Sequence, residues 1–495
     1  MKTQALNLDT LTIEEFGRGL RARDLTAELV TDRCLRRIEE DNARLNAFIL
    51  VMADAARERA READRELAAG RDRGPLHGVP ISIKDLIDVA GTPTTAASRV
   101  REGHVAVHDA PAIVALREAG AVIIGKTNLH EFAFGTTNED SAFGPARNPY
   151  DVSRSPGGSS GGSAVSVAAG MALATLGTDT GGSIRIPAAA CGIVGLKPRH
   201  GELSTEGIVP LSHRLDHVGP LARTVADVSL VYRALRGGLQ NPAEAGSHVP
   251  GSWGPVPRSW GPVPDLWGPA LAGPRLPAPV PVSGLKLAVP RGYFFELLDD
   301  DVRARFDEAI DRLRAAGVRT TDVNIRHASL TPAVYLHLVL ADAAMYHAAT
   351  LERMPERYTA PVRLRLEMGR YVLAEDYARA LEGQAILRRE VDSALAGHDA
   401  LVLPALPIPA PPIGAASVQV SGVMEPVRNL MLRLTQLFNV TGHPAIALPA
   451  GRTSTGLPCS VQLVGVDTDA LLPVALACEA QITGVLPPRS GGLGG

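Results

Sequence analysis

The stretch SPGGSSGGSAVSVAAGMALATLGTDTGGSIRIPAAACGIVGLKPR (residues 155–199) is the most informative part of this sequence. It holds two serine- and glycine-rich clusters, GGSSGG at 157–162 and GTDTGGSIR at 177–185, separated by a short apolar segment. Glycine adds no side chain to a core, so glycines beside hydroxyls indicate close backbone approach, positive φ or exposed N–H donors. A flexible linker is the alternative, but the neighbouring LATLG and IPAAACGIVGL are typical of buried segments. The stretch therefore predicts a functional site.

Composition and charge are those of an ordinary globular protein. Of 495 residues, 45% are hydrophobic and 21% charged, and the formal net charge is −3. No overall field favours nucleic acid or an anionic membrane, so neither is expected as a partner. The cysteines lack CxxC spacing, which argues against a zinc site or a disulfide framework and fits a reducing compartment. They are Cys34, Cys191, Cys459 and Cys478.

The sequence predicts a cytoplasmic location. Its first residues, MKTQALNLDTLTIEEF, lack the apolar core of a signal peptide. The longest nearly apolar run, residues 164–177, spans about 14 residues, short of the roughly 18 that would suggest a membrane span. We therefore expect no membrane association.

Strand and helix signals alternate along most of the chain. Residues 1–70 carry helical periodicity and predict an N-terminal helical layer. LHGVPISIKD, residues 76–85, predicts an apolar strand on which a lysine, Lys84, is unusual. PAIVALREAG followed by AVIIGKTN predicts an α/β unit. The pattern indicates an α/β fold whose sheet is covered by helices on both faces.

Residues 240–284 interrupt this alternation. They contain the near-repeats SWGPVP, RSWGPVP and DLWGPA and all three tryptophans, Trp253, Trp260 and Trp267. Because a Pro-rich segment forms neither ladders nor helices, we interpret it as a low-complexity insertion, a surface loop or arm. Residues 488–495 are expected to form a flexible tail, and the chain as a whole, 1–495, a single domain.

Three chemistries could use the glycine-rich stretch. GGSSG at 157–161 satisfies the GxSxG pattern of Ser-His-Asp hydrolases with Ser159 as nucleophile, but that motif requires a strand leading into the serine, and NPYDVSRSP precedes it. A phosphate-binding loop would need GK[ST] or GxGxxG, and neither is present. The third chemistry is a serine nucleophile activated by lysine, for which Lys84 is the candidate.

Several blocks resemble the amidase signature family: GVPISIKD at 78–85, SPGGSSGGS at 155–163, GTDTGGSIRIPAAACGIVGLKP at 177–198, NEDSAFGPARNP at 138–149 and FNVTGHPAIALPAG at 438–451. The resemblance covers nearly the whole chain outside the insertion. Ser159 and Ser183 are 24 positions apart, the spacing expected in that family. The resemblance implies the amidase-signature fold, a large mixed twisted β-sheet covered by helices on both faces.

The family resemblance also implies a Ser-cisSer-Lys triad. Ser183 would be the nucleophile, Ser159 the bridging serine after a cis peptide bond, and Lys84 the base. Lys84 would have to be neutral, so burial must lower its pKa from a reference value of about 10.4. Thr180, Gly181, Gly182 and Ser183 would supply N–H groups to the oxyanion hole. Ala133 and Phe134 would lie near the substrate. Ser160, Asp179 and Arg185 would support the site.

The activity implied is hydrolysis of a C–N acyl bond, in an amide, aryl amide, carbamate or ester, through an acyl-enzyme and without metal or organic cofactor. The A subunit of the tRNA-dependent glutamine amidotransferase uses the same triad but usually has an acidic residue where this chain has Leu432, so a free-standing amidase is favoured. A Ser-His-Asp esterase built on Ser159 is a second alternative. The expected partner is a small-molecule amide or carbamate, and the oligomeric state is open, with a homodimer as one alternative.

Overall fold

The computed structural model describes residues 7–237 and 280–483. The insertion predicted at 240–284 lies almost entirely outside these residues, and the tail predicted at 488–495 lies wholly outside them. Both therefore stay predictions.

The described residues form thirteen strands: β1 Phe48–Val51, β2 Pro80–Lys84, β3 Val122–Thr127, β4 Ala174–Asp179, β5 Val194–Lys197, β6 His217–Ala222, β7 Lys286–Pro290, β8 Arg319–Val323, β9 Ala400–Pro404, β10 Ser417–Val420, β11 Val423–Pro426, β12 Ala445–Arg452 and β13 Pro458–Val464. Eleven of these described strands make one sheet in the order β1-β3-β2-β4-β6-β5-β12-β13-β9-β7-β8, and β10 and β11 pair separately. The large sheet is mixed: β2 runs parallel to β3 and β4, whereas β4, β6 and β5 alternate in direction.

The same residues form fifteen α-helices: α1 Ile13–Arg21, α2 Ala27–Leu45, α3 Ala53–Ala68, α4 Pro111–Glu118, α5 Gly161–Ala168, α6 Arg185–Cys191, α7 Val225–Gly237, α8 Tyr293–Glu296, α9 Asp300–Ala315, α10 Thr331–Arg353, α11 Ala360–Gly369, α12 Ala374–Leu395, α13 Val427–Arg433, α14 Gln436–Val440 and α15 Thr468–Thr483. The large sheet lies among these helices, and the α/β fold with a large mixed sheet is confirmed.

Local sequence signals explain several helix ends. α1 begins with a capping box, in which the Thr12 hydroxyl accepts a hydrogen bond from the Glu15 N–H and the Glu15 carboxylate accepts one from the Thr12 N–H. The Asp299 carboxylate accepts hydrogen bonds from the first turn of α9. Gly317, shortly after that helix, takes a φ of 92°, which ends it.

The N-terminal layer departs from its prediction at one point. Residues 48–51, expected within a helical layer, form β1 and pair antiparallel with β3. Their sequence, FILV, is aromatic and β-branched, but a run this short and apolar fits a strand or a buried helix equally well by periodicity. Pairing with β3 decides between them.

One long apolar helix has a length that also suits a membrane. Among the described residues, the stretch 328–353, which includes α10, is long and apolar enough to cross a bilayer by length and composition. Half of its most apolar window is buried inside the protein, and α10 packs against α11 and α12. The core of a folded protein accounts for this composition equally well.

The sheet brings two chemically important strand ends together. β2 and β4 are adjacent and parallel, so their C-terminal residues, Lys84 and Asp179, lie at the same edge of the sheet. Every residue of both strands is buried, as expected for strands with neighbours on both sides and helices packed on them. A lysine and an aspartate are thereby held in the protein interior.

Candidate active site

Lys84 lies in the interior with two hydroxyl groups around its amine. Its Nζ is 2.7 Å from Ser159 Oγ and 2.8 Å from Thr178 Oγ1, and the side chain is fully buried. Burial lowers the pKa of Lys84 to about 7, although the negative charges of Asp179 and Asp216 oppose the shift. A large fraction of Lys84 is therefore neutral near pH 7 and able to accept a proton.

Ser159 is held in place by the backbone on both sides. The peptide bond between Gly158 and Ser159 is cis. A Cβ on Gly158 would lie 2.8 Å from the backbone nitrogen of Asn138, so only glycine fits there. The Ser159 carbonyl accepts a 3.0 Å hydrogen bond from the His130 N–H. These contacts place residues 130–138 directly against the serine.

Ser183 is the member of the predicted triad that solvent reaches. It is 6% exposed, whereas Lys84 and Ser159 are 0% exposed. Its carbonyl accepts a 3.3 Å hydrogen bond from the Ser160 N–H, which ties the two serine segments together. Within residues 7–237 and 280–483, the Ser183 hydroxyl itself forms no hydrogen bond, to Ser159 or to any other group. It is available to a substrate.

The loop of residues 180–183 presents unpaired backbone donors. Across the described parts of the chain, no protein atom accepts a hydrogen bond from these four N–H groups. A Cβ on Gly181 would lie 2.6 Å from the Tyr335 hydroxyl, and one on Gly182, whose φ is +143°, would lie 2.3 Å from Thr435 Oγ1. The Thr435 hydroxyl donates a 2.6 Å hydrogen bond to the Gly181 carbonyl. Glycine is thus needed at both positions, and the N–H groups are ready to bind an oxyanion.

Asp179 and Arg185 brace this loop from its two ends. Both side chains are fully buried, with Arg185 Nε 3.0 Å from Asp179 Oδ2 and Nη2 3.1 Å from Oδ1. The Asn439 amide donates a further 2.8 Å hydrogen bond to Asp179. Burial opposes ionisation of Asp179, but the charge and hydrogen bonds of Arg185 hold the pKa of that carboxyl below its ordinary value. The ion pair fixes the intervening residues 180–183.

Two further polar side chains support the loop. The Ser160 hydroxyl donates a 3.2 Å hydrogen bond to the Thr178 carbonyl. The Thr180 hydroxyl donates a 2.6 Å hydrogen bond to Asp216, whose other oxygen accepts from backbone N–H groups. Burial raises the pKa of Asp216 to about 6, although these hydrogen bonds oppose the shift. Asp216 is therefore hydrogen-bonded to the loop of residues 180–183, and its negative charge also acts on the pKa of Lys84.

Ala133 and Phe134 lie in a tight turn beside the triad. They are buried, and Ala133 takes a φ of +59°. The neighbouring His130 binds the Ser159 carbonyl through its N–H, which brings the turn to the site. The Phe134 carbonyl accepts a 2.6 Å hydrogen bond from the Arg365 guanidinium, which also lies 5.8 Å from the ring centroid.

Sequence reasoning missed the residues that complete the site from elsewhere in the fold: Thr178, Asp216, Tyr335, Thr435 and Asn439. Thr178 lies inside the GTDT motif, where a hydroxyl on an apolar strand could have indicated a polar partner in the interior. Asn439 lies within FNVTGHPAIALPAG, one of the blocks that resemble the family, but nothing in the local sequence of the other four residues indicates a contact with residues 179–183.

The Ser-His-Asp alternative finds no support in the geometry. No strand of the sheet leads into Ser159, and its hydroxyl contacts a lysine. In the described ranges, no histidine side chain forms a hydrogen bond with Ser159 or Ser183. These residues also contain no group of three or more His, Cys, Asp or Glu side chains able to hold a metal ion.

A cavity of about 340 Å³ opens beside the loop. Its lining includes Tyr335 and Leu432, and both are close to Gly181, since a Cβ there would lie 2.6 Å from the tyrosine hydroxyl and 2.9 Å from Leu432 Cδ2. The cavity size is at the lower end of the range for small-molecule sites. Tyr335 and Leu432 thus lie at both the cavity and Gly181, which makes the cavity a candidate place for part of a substrate.

The amidase family model matches residues 29–469, and the chain belongs to the amidase signature family. Among similar proteins, the A subunit of glutamyl-tRNA(Gln) amidotransferase from Anaeromyxobacter sp. (strain K) is 38% identical over 98% of this chain and 99% of its own length. An amidase of Pseudomonas putida is 38% identical over 96% of this chain and 97% of its own length. A crystal structure described as amidase has a TM-score of 0.84 and 35% identity, covering 95% of this chain and 100% of that chain. The protein is therefore an amidase-family hydrolase that acts on C–N bonds.

Proposed function

We propose that this protein hydrolyses amides through an acyl-enzyme on Ser183, with Ser159 as proton relay and Lys84 as base. The observation that carries the proposal is the 2.7 Å contact between the buried Lys84 amine and Ser159, next to a loop with unpaired N–H donors. A neutral lysine in contact with a serine can accept a proton through that serine. Ser183, which solvent reaches, is the nucleophile whose proton would be transferred in this way.

Acylation begins with attack of Ser183 Oγ on the amide carbonyl carbon. The Ser183 proton passes to Ser159, whose own proton passes to the neutral Lys84 amine. The N–H groups of residues 180–183 stabilise the negative charge on the carbonyl oxygen, each worth about 10²–10³ in rate. The tetrahedral adduct then collapses as the proton returns through Ser159 to the leaving nitrogen, and the C–N bond breaks.

Deacylation repeats these steps with water as the nucleophile. Water attacks the ester carbonyl, gives its proton through Ser159 to Lys84, and the C–O bond to Ser183 breaks as that proton returns to the serine oxygen. The net reaction converts one amide and one water into a carboxylic acid and ammonia or an amine. No external oxidant or reductant takes part.

Release of ammonia from glutamine for a partner enzyme is a second candidate. The names of the similar proteins favour this candidate, because more of them are the A subunit of glutamyl-tRNA(Gln) amidotransferase than amidases. Against this candidate stands Leu432, an apolar side chain beside Gly181 where that subunit usually has an acid. Hydrolysis by the chain alone is the activity that we put forward first.

The experiment is to assay the purified chain, without partners, on primary amides, anilides, carbamates and glutamine. Turnover of simple amides supports the proposal. If the chain releases ammonia only from glutamine, and only when the other amidotransferase subunits are added, the second candidate is correct. Absence of amide turnover in every format would overturn the proposed chemistry.

A further inference from the structure

We propose that the cavity beside Gly181 binds a carboxylate of the substrate through Arg428, so that the preferred substrates are amides that carry a carboxylate several bonds from the scissile C–N bond. The inference rests on the proposed amide hydrolysis and deepens it. It names the chemical class of the substrate that Ser183 would attack.

Arg428 is a cation in the cavity wall that has no counter-ion among the described residues. It lines the cavity, and its Nε is buried without a hydrogen-bond partner. Across residues 7–237 and 280–483 its guanidinium forms neither a hydrogen bond nor an ion pair, not even with Glu425, the acidic residue that also lines the cavity. Arg428 is half-buried and only its Nε is enclosed, so its charge is partly desolvated, and an anion in the cavity would compensate it.

The electrostatic surroundings of Arg428 agree with this geometry. Burial lowers the pKa of Arg428, and of the residues that the structure describes Tyr335 alone opposes the shift. Burial also raises the pKa of Tyr335 to about 12, so it is neutral at pH 7 and offers no charge. Burial lowers the pKa of a second guanidinium, Arg365, and the nearby charge of Arg428 lowers it further. Asp140, which lies 3.0 Å from the His130 ring, is the carboxylate that raises the pKa of Arg365, whereas among the described residues no carboxylate acts on the pKa of Arg428.

The helix α13 sets the distance from Arg428 to the catalytic loop. Arg428 and Leu432 are four positions apart on that helix, so they lie on one face with Cβ atoms about 5–6 Å apart. Leu432 in turn lies against Gly181. A guanidinium at this distance reaches a carboxylate on a short chain whose amide carbonyl occupies the oxyanion loop.

Arg433 on the same helix provides a matched control. It also lines the cavity, but its Nη2 pairs with Glu296 at 3.0 Å and its guanidinium lies 3.8 Å from the Tyr293 ring centroid. Its charge is already compensated. Removing that charge should therefore not affect recognition of an anionic substrate.

The test compares matched amides that differ only in the carboxylate. On the acyl side these are succinamate, glutaramate and adipamate against butyramide, valeramide and hexanamide; on the amine side, N-acetyl-β-alanine against N-propylacetamide. We expect a carboxylate preference in kcat/KM on one side, reduced by on the order of tenfold in Arg428→Gln, chiefly through KM. The measurement is the ratio of kcat/KM between the charged and the neutral amide of each pair, which should fall in Arg428→Gln and be kept in Arg433→Gln.

Inhibition of the unmodified protein gives a second measurement that does not depend on a variant folding. Glutarate should compete better than valerate, and rising salt should weaken the difference. Equal turnover of charged and neutral amides on both sides, or a preference that survives Arg428→Gln, would overturn the inference while leaving amide hydrolysis intact. Absence of turnover on all of these amides would instead count against the proposed function.

Discussion

Lys84 and Ser159 are 75 positions apart in the chain, yet Lys84 Nζ lies 2.7 Å from Ser159 Oγ inside the protein. Thr178 supplies the second hydroxyl on the amine, at 2.8 Å. The contact couples a lysine whose charge is suppressed by burial to a serine that can pass a proton toward the solvent-facing Ser183. In the proposed mechanism, a base in the interior serves a nucleophile, Ser183, that is 6% exposed.

Replacing the nucleophile should abolish turnover. In Ser183→Ala no acyl-enzyme can form, and we expect kcat to fall by about 10⁴-fold or more. The circular dichroism spectrum should be unchanged, because the hydroxyl forms no hydrogen bond with described residues. Ser454→Ala, at an exposed serine far along the chain, is the control and should retain activity. Appreciable amidase activity in the first variant would exclude Ser183 as nucleophile.

The pH–rate profile should report the protonation of Lys84. Because only the neutral amine accepts a proton, and the pKa of Lys84 lies at about 7, kcat/KM should rise with pH through this value and then level off. Lys84→Ala should lose on the order of 10³-fold in rate, and its residual activity should lack the acid limb. A limb that persists in this variant must belong to another group.

Asp216 should tune that same titration. Its negative charge raises the pKa of Lys84, so Asp216→Asn should lower the pKa and move the acid limb of kcat/KM to lower pH, by on the order of 0.5 unit. Asp72→Asn removes an exposed carboxylate that does not act on the pKa of Lys84, and its limb should stay in place. A shift in both variants, or in neither, would contradict the electrostatic role.

Thr435 should act on kcat through the oxyanion loop. Its hydroxyl donates a 2.6 Å hydrogen bond to the Gly181 carbonyl. Thr435→Val removes this bond with little change in volume, and a loss of about 1.4 kcal/mol in transition-state stabilisation corresponds to about tenfold in kcat. Thr435→Ser keeps the hydroxyl and should restore most of the rate. Steady-state kinetics measures kcat for both variants. Equal kcat values in Thr435→Val and Thr435→Ser would show that the hydroxyl does not support the loop.

The buried ion pair should matter for stability. Arg185→Met leaves the fully buried Asp179 without its partner, so the free energy of unfolding should fall by about 3–5 kcal/mol. The exposed pair of Arg21 and Asp72 provides the comparison, and Arg21→Met should cost about 1 kcal/mol or less. Denaturant unfolding measures both changes. Equal losses would show that burial of the first pair is not what makes it important.

The sequence was sufficient for the parts of the site that lie in continuous motifs. Residues 155–199 carry both serines and the N–H donors of the candidate site. The glycines around them are visible in the sequence because close contacts leave no room for a side chain, as at Gly158 and Gly182. The fold class followed from alternating strands and helices. β1 was missed because a four-residue apolar run has no distinguishing period, and only its pairing with β3 makes it a strand.

The tertiary structure alone decided the rest. Thr435 lies 254 positions from Gly181, and no local pattern could show that the two meet. The same is true of Asp216 beside Thr180 and of Arg428 near the catalytic loop, since long-range contacts between side chains leave no periodic signal in sequence. The sequence could show that Lys84 stands on an apolar strand, but its low pKa depends on complete enclosure by neighbouring strands and helices. The motifs identified the candidate catalytic residues. The pKa of Lys84, on which its reactivity depends, is set by burial, and burial is a property of the whole fold.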